Sequence, residues 1–293
     1  MSPPLAGEDG RRPDWYADPC GRHALRYWDG QGWTERVSDA GRPGVDPVDL
    51  DLAGWLESRG GDRRSPWPRH VAASAVGVGV TAVVLGAVMA PVAEGHGAGP
   101  VASLSLVAAI LYGILLAYCS VVGRYYGSER GLRFDFGLTF SIRDLGWGLV
   151  LSLGARLVAV VATLPLALVD EDLVAPDTTA FDGFDRSIGL LVALSVVAVL
   201  LAPVLEELFF RGVVQRSLEA ATGPVAAVAV ASALFGLAHL GLDLGPANVG
   251  VVVATGSAGV VLGIIAHRTR RLGLAISTHA WFNLLPVLVA WAA

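Results

Sequence analysis

The stretch Ala202-Pro-Val-Leu-Glu206-Glu207-Leu-Phe-Phe-Arg211-Gly ends a run of apolar residues that is long enough to cross a bilayer. Two adjacent carboxylates and a guanidinium at that depth are costly, so each requires a compensating partner or a function. On a helix, Glu207 and Arg211 are four residues apart on one face and can form an ion pair. Glu206 points about 100° away from Glu207 and is predicted to face a cavity. A helix end at the membrane interface, with snorkelling side chains, is the simpler alternative.

The composition is that of a membrane protein. The chain has 293 residues, of which 54% are hydrophobic and 16% charged, which is too apolar for an ordinary soluble domain. The net charge is -5 and the sequence has no basic tail, so nucleic acid is not expected as a partner. Cys20 lies in a polar segment and Cys119 in an apolar one, so we expect no disulfide between them.

Apolar segments fill the chain after residue 69. Most approach the ~20 residues that a membrane-spanning helix requires. The fifth and sixth are short and rich in Gly and Ala, which favours close packing between helices. We therefore predict an all-α polytopic membrane protein with about seven transmembrane helices, in a helical domain at 70–291. The segments run approximately over 70–91, 100–123, 145–169, 188–211, 224–240, 248–266 and 272–291.

Arginine residues alternate between the connecting loops. The loops at 124–144 and near 268–271 are basic, whereas the loops at 92–99 and 241–247 contain no Arg and the loop at 170–187 is acidic. The positive-inside rule then places the N terminus inside and the C terminus outside. The sequence therefore predicts a multi-pass membrane protein with a cytoplasmic N terminus.

Residues 12–38 are predicted to form a small Trp-rich module, and residues 39–69, rich in Gly, Pro, Asp and Arg, a linker. Asp29-Gly30 lies between alternating aromatic residues and predicts a β-hairpin. The stretch resembles a short Trp-rich domain of unknown function at the cytoplasmic N termini of actinobacterial membrane proteins. The resemblance implies a location, the bacterial cytoplasmic membrane, rather than an activity. Docking of a partner protein through the module and a solvated module without a partner are the two alternatives. Three tryptophans are predicted to form a small aromatic core: Trp15, Trp28 and Trp33.

Two further polar motifs occur in the membrane segments. Phe235-Gly-Leu-Ala-His239 places an imidazole in the fifth segment, and His279-Ala-Trp-Phe-Asn283 places His and Asn on one helical face of the seventh. Taken singly, each could be a hydrogen bond between packed helices. Together with Glu206 they supply a carboxylate base, imidazoles and an amide donor, which are the groups of a water-activating site.

Helix geometry gives these groups approximate depths. Counted from the inner helix ends at 1.5 Å per residue, Glu206 lies at ~21 Å and His239 at ~24 Å, whereas His279 lies at only ~11 Å. Either the fourth helix ends earlier, near Gly212, or the seventh helix is displaced. The sequence leaves both alternatives open.

The three motifs, in this order and spacing, resemble the CPBP family of intramembrane proteases, also called the Abi or type II CAAX-protease family. The resemblance covers roughly residues 188–291, which would be the protease core, and every motif position is filled. It implies supporting or structural roles for Glu207 and Arg211. The first three helices are compatible with the family but carry no motif.

The resemblance also implies a role for each remaining motif residue. Glu206 would be the catalytic carboxylate, and His239 would act with it on the attacking water. His279 and Asn283 would bind the developing oxyanion. Alternatively, Glu206, His239 and His279 could form a His₂Glu zinc set with an open fourth position. Because the sequence has no His-Glu-x-x-His helix, we favour a mechanism without an obligatory metal.

We therefore predict an intramembrane endopeptidase that acts at the lipid bilayer on a membrane-associated peptide or protein. Bacteria generally lack prenylated CAAX proteins, so the substrate in the family's title is not carried over. A non-catalytic immunity or scaffold protein built on the same bundle is the first alternative. A transporter or channel is the second, although the sequence shows no internal repeat and no second acidic span.

Overall fold

The computed structural model describes residues 12–18, 23–46, 67–127, 135–174, 188–241 and 245–292. The chain divides into two compact units, Met1–Arg64 and Ser65–Ala293. Cys20 and parts of the loops at 124–144 and 170–187 lie outside the described residues. Cys119 is a buried free thiol in the second unit.

The first unit contains a four-stranded antiparallel sheet in the order β1-β2-β3-β4. The predicted hairpin is confirmed, because β2 and β3 are joined by a turn that begins at Asp29. The Asp29 carboxylate accepts hydrogen bonds from the backbone N–H groups of Gln31 at 2.8 Å and Gly32 at 2.7 Å. Gly30 has φ 98°, a conformation that glycine adopts without strain. The strands are β1 Asp14–Ala17, β2 Leu25–Trp28, β3 Trp33–Asp39 and β4 Arg42–Val45, so the sheet continues past the boundary predicted at residue 38.

A buried arginine lies at the centre of this sheet. Trp28 and Trp33 meet edge to face with ring centroids 5.4 Å apart, but both are only half-buried and the third tryptophan is exposed. Arg26 is fully buried and donates to the carboxylates of Asp18 at 2.9 Å and Asp46 at 2.6 Å. The predicted three-tryptophan core is therefore wrong. A sheet this small buries little apolar surface, and ion pairs occupy its centre instead.

Apolar helices make up the second unit, and they correspond one to one with the predicted segments. Helices α1 to α4 and α6 are long and apolar enough to cross a membrane, while α5 and the apolar part of α7 are shorter. The polytopic all-α fold is thus confirmed. The helices are α1 Arg69–Gly95, α2 Pro100–Tyr126, α3 Arg143–Val169, α4 Ile188–Thr222, α5 Pro224–Leu237, α6 Ala247–Thr269 and α7 Gly273–Ala292.

Helix α4 is the central element of the bundle, and it is not a uniform α-helix. The α-helical stretch Ala202–Phe209, which carries both glutamates, lies between the π-helical stretches Ser195–Leu201 and Phe210–Gln215. Its side chains from Leu208 to Val214 are buried. A one-residue turn at Gly223, with φ 80°, then leads into Pro224 at the start of α5. Helix α5 consequently returns directly beside α4.

The remaining helices pack on α4 or on one another. Helix α1 packs on α2, α6 packs on α5 and α3, and α7 packs on α3 and on the first π-helical stretch of α4. At the end of α6, Arg271 forms two hydrogen bonds with the buried Asp144 carboxylate of α3, one of them 2.7 Å long. The backbone N–H of Leu272 donates to the carbonyl of Gly137 at 2.7 Å. These contacts fix the point at which α7 enters the bundle.

Candidate active site

Glu207 is the hub of a fully buried polar cluster. Its Oε1 atom accepts hydrogen bonds from Nη1 of Arg211 at 2.8 Å and from Nδ1 of His279 at 3.0 Å. The predicted ion pair between Glu207 and Arg211 is confirmed, with both side chains fully buried. Arg211 also donates to the carbonyl of Gly259 on α6 at 3.0 Å, and its guanidinium lies 4.5 Å from the centroid of the Phe235 ring. Glu207 therefore joins α4 to α7, while Arg211 joins α4 to α5 and α6.

Glu206 lies on a different side of α4 from Glu207, as the helical period predicts. Its Oε1 atom accepts a hydrogen bond from the Tyr112 hydroxyl of α2 at 3.0 Å. Its Oε2 atom is buried and has no hydrogen-bond partner among the described residues. This second oxygen lies 3.9 Å from Nε2 of His279. One carboxylate oxygen is thus held in place and the other is available to a water molecule or a substrate.

A cavity of about 630 Å³ adjoins Glu206. Its wall is mostly apolar and comes from α1, α2, α4, α5 and α7. Four polar side chains contribute to the wall: Tyr112, Glu206, His239 and Asn283. An apolar cavity with a few convergent polar groups is the usual form of a ligand or substrate site. Three of the four predicted catalytic residues therefore share this cavity.

His279, the fourth predicted residue, does not line the cavity, but its Nε2 atom lies 3.9 Å from the unbonded Oε2 atom of Glu206. It is 3% exposed and is bonded to Glu207 through Nδ1. Helix α4 continues to Thr222, so the early helix end near Gly212 is wrong, yet His279 still lies close to Glu206. A displaced seventh helix is the alternative that is consistent with this distance.

The other two side chains have defined hydrogen bonds. Nδ1 of His239 lies 2.8 Å from the carbonyl of Phe235, which can only accept, so Nδ1 carries the proton and Nε2 is free to accept one. Nδ2 of Asn283 donates to the carbonyl of Ala198 at 2.8 Å, which leaves the second N–H of that amide unused by this bond. His239 is thus oriented as a base and Asn283 as a donor.

Tyr112 is the residue that motif reasoning missed. It belongs to α2, in the part of the chain where the sequence showed no motif. The only signal was a phenolic hydroxyl within an apolar segment, a group that requires a hydrogen-bond partner when it is buried. Its partner could not be found from spacing, because the two residues are 94 positions apart.

A metal site does not follow from the described side chains. They include no group of three His, Cys, Asp or Glu residues close enough to hold one ion. Of the proposed zinc set, Glu206 and His279 are neighbours, with Oε2 and Nε2 3.9 Å apart, but the described side chains do not bring three ligands together. A His₂Glu site requires three converging ligands, so the chemistry proposed for Glu206 and His239 does not use a metal.

Comparison with protein families agrees with the motifs. Residues 188–285 match the family model described as type II CAAX prenyl endopeptidase Rce1-like. The range 188–285 is called the Rce1-like domain below, after the family model that it matches. The match confirms the resemblance to CPBP proteases and supports CAAX-type intramembrane protease activity in general terms. Every residue of the three motifs lies within this domain, whereas Tyr112 lies outside it.

The N-terminal sheet has a family of its own. Residues 13–46 match DUF2510, a protein family of unknown function, which fits the resemblance to a Trp-rich domain of unknown function. The matched range agrees with the observed extent of the sheet, from Asp14 to Val45. No curated protein and no solved structure gave a significant match to the chain.

Proposed function

We propose that the protein is an intramembrane endopeptidase that hydrolyses peptide bonds in membrane-associated peptides or proteins. The observation that carries the proposal is the shared cavity, which Glu206 of α4, His239 of the turn after α5 and Asn283 of α7 all line. The Rce1-like match of residues 188–285 supports peptidase chemistry. A mostly apolar wall suits an apolar peptide segment, which could reach the cavity within the bilayer.

Glu206 and His239 activate the attacking water. Tyr112 donates to Oε1 of Glu206, and Nδ1 of His239 bonds to the carbonyl of Phe235. Oε2 of Glu206 and Nε2 of His239 therefore remain as hydrogen-bond acceptors for the water. Glu206 takes a proton from the water as its oxygen bonds to the carbonyl carbon of the substrate. When the C–N bond breaks, the same proton passes to the leaving amine.

His279 and Asn283 stabilise the oxyanion that forms in this step. Asn283 has a second amide N–H beyond the one bonded to Ala198. His279 already donates from Nδ1 to Glu207, so Nε2 can donate only when the ring is protonated. Glu207 is thus a positioning residue that holds His279 in its donating form.

The setting of the reaction follows from the distribution of arginine. We place the N terminus and the DUF2510 module on the cytoplasmic side of a bacterial membrane, where the module is available to dock a partner protein. The cavity then opens toward the cytoplasm or laterally toward lipid. The prenyl group in the family description is not part of the proposal.

The test compares membrane proteins of a host strain that expresses the wild type, Glu206→Gln or Glu94→Gln. Glu94 is an exposed carboxylate at the end of α1, far in sequence from the motifs, and serves as the matched control. Mass spectrometry should find cleaved peptides that appear with the wild type and with Glu94→Gln but not with Glu206→Gln. Identical peptide patterns, with a cellular phenotype that Glu206→Gln retains, would instead favour the scaffold alternative. Loss of solute flux in Glu206→Gln would favour transport.

A further inference from the structure

The carbonyl of Ala198 occupies an unusual position in α4. It lies within the π-helical stretch Ser195–Leu201, where each backbone N–H bonds to the carbonyl five residues earlier. The last such bond runs from the N–H of Ala202 to the carbonyl of Val197. The next donor in this series would be residue 203, which is Pro203 and has no N–H. The carbonyl of Ala198 therefore has no N–H five residues later to bond with. The N–H four residues later, that of Ala202, is already bonded to Val197.

Asn283 supplies the missing hydrogen bond. Its Nδ2 atom donates to the Ala198 carbonyl at 2.8 Å, across the interface between α7 and α4. A backbone carbonyl without a partner inside a membrane is costly, so this bond has a strong driving force. Ala198 and Asn283 both line the cavity, and the bond is therefore made at the edge of the proposed reaction site.

We propose that Pro203 is a positioning residue for Asn283. Because Pro203 has no N–H, the Ala198 carbonyl is left to accept from the Asn283 amide. This bond fixes the amide and directs the second amide N–H of Asn283 toward the cavity. Pro203 is buried and lies three residues before Glu206, so one short stretch of α4 sets both the carboxylate and the amide donor. The inference rests on the proposed function, in which Asn283 binds the oxyanion.

Pro203→Ala is the informative substitution. Alanine restores an N–H at position 203, which can bond to the Ala198 carbonyl and displace the Asn283 amide. Alanine is also better suited than proline to the interior of a helix, so the variant should fold at least as well as the wild type. Loss of activity together with undiminished stability would not be expected if Pro203 had only a structural role.

The amide can be observed without a substrate. The sequence contains two asparagines, Asn248 and Asn283, so ¹⁵N-asparagine labelling of the full chain gives two side-chain amide signals. The signal lost in Asn283→Ala identifies Asn283. In Pro203→Ala that signal should shift and its protons should exchange faster, while the Asn248 signal stays unchanged. Pro165→Ala, which removes a proline from inside α3, is the matched control and should alter neither signal.

Activity provides the second readout. Production of the peptides specific to the wild type should fall ~100- to 1000-fold in Pro203→Ala, as expected for loss of one oxyanion donor. An unchanged Asn283 signal, or wild-type activity in Pro203→Ala, would refute the coupling. Full activity in Glu206→Gln would refute the proposed function instead, and the amide signals would still decide whether Pro203 positions Asn283.

Discussion

Replacing Glu207 by glutamine should destabilise the protein more than replacing its neighbour Glu206. Glutamine keeps the volume of the side chain and an oxygen that accepts hydrogen bonds, so the substitution removes mainly the charge. The Glu207 carboxylate is the observed ion-pair partner of Arg211, whose side chain is fully buried. Glu206 bonds instead to the neutral hydroxyl of Tyr112.

The size of the effect follows from the burial of the pair. Removing one partner of a fully buried ion pair typically costs about 3–5 kcal/mol, because the other charge is left uncompensated. Replacing both charged partners by neutral groups is often nearly neutral. The double variant Glu207→Gln/Arg211→Met should therefore recover most of the stability lost in Glu207→Gln. It should not recover activity, because the neutral amide oxygen of glutamine accepts from Nδ1–H of His279 more weakly than the carboxylate does.

Unfolding of the purified protein in detergent, followed by circular dichroism, gives the stability of the single and double variants. The free energy of unfolding of Glu206→Gln, measured in parallel, should remain within about 1 kcal/mol of the wild-type value, because this substitution leaves no buried charge unpaired. The reasoning is refuted if Glu207→Gln is as stable as the wild type, or if the double variant is less stable than Glu207→Gln. Recovery of peptidase activity in the double variant would contradict the positioning role of Glu207.

Exhaustive dialysis against a strong chelator should leave peptidase activity intact, and Asn283→Ala should be impaired about as much as His279→Ala. Stoichiometric zinc, with activity lost on chelation and restored by zinc, would overturn the metal-free mechanism. In a cysteine-free background, Glu171→Cys should be labelled in intact cells and Tyr125→Cys should not, and the reverse would invert the topology. Hydrogen bonds from His23 and the Ala24 backbone lower the pKa of Asp39, so its contribution to the sheet is present above the ordinary carboxyl pKa. It is lost as the pH falls through the lowered value, and hydrogen exchange at β2 and β3 should show this in the wild type but not in Asp39→Asn.

Local relationships in the sequence were sufficient for much of the site. The 3.6-residue period separated Glu206 from Glu207 and paired Glu207 with Arg211, and both relationships hold because this part of α4 is α-helical. Hydropathy located each apolar helix, because a bilayer imposes a length and an apolar composition on each segment independently of the others.

Tertiary relationships could not be obtained in this way. The π-helical stretches of α4 change the helical register, yet the segment Ser195-Val-Val-Ala-Val-Leu-Leu has an ordinary apolar composition. The bond from Tyr112 to Glu206 depends on how α2 packs against α4. In the N-terminal sheet, spacing identified the turn at Asp29, but the burial of Arg26 depends on carboxylates brought together from separate parts of the chain.

The Tyr112 hydroxyl has a consequence for how such a protein can be divided or recombined. Sequence similarity marks 188–285 as a domain, but a wall of the cavity and the partner of Glu206 come from α1 and α2, which precede it. Transplanting 188–285 onto foreign helices would carry every motif and leave one oxygen of Glu206 without its donor. The domain defined by sequence similarity and the set of residues that form the site therefore have different boundaries, since α2 holds the glutamate of α4.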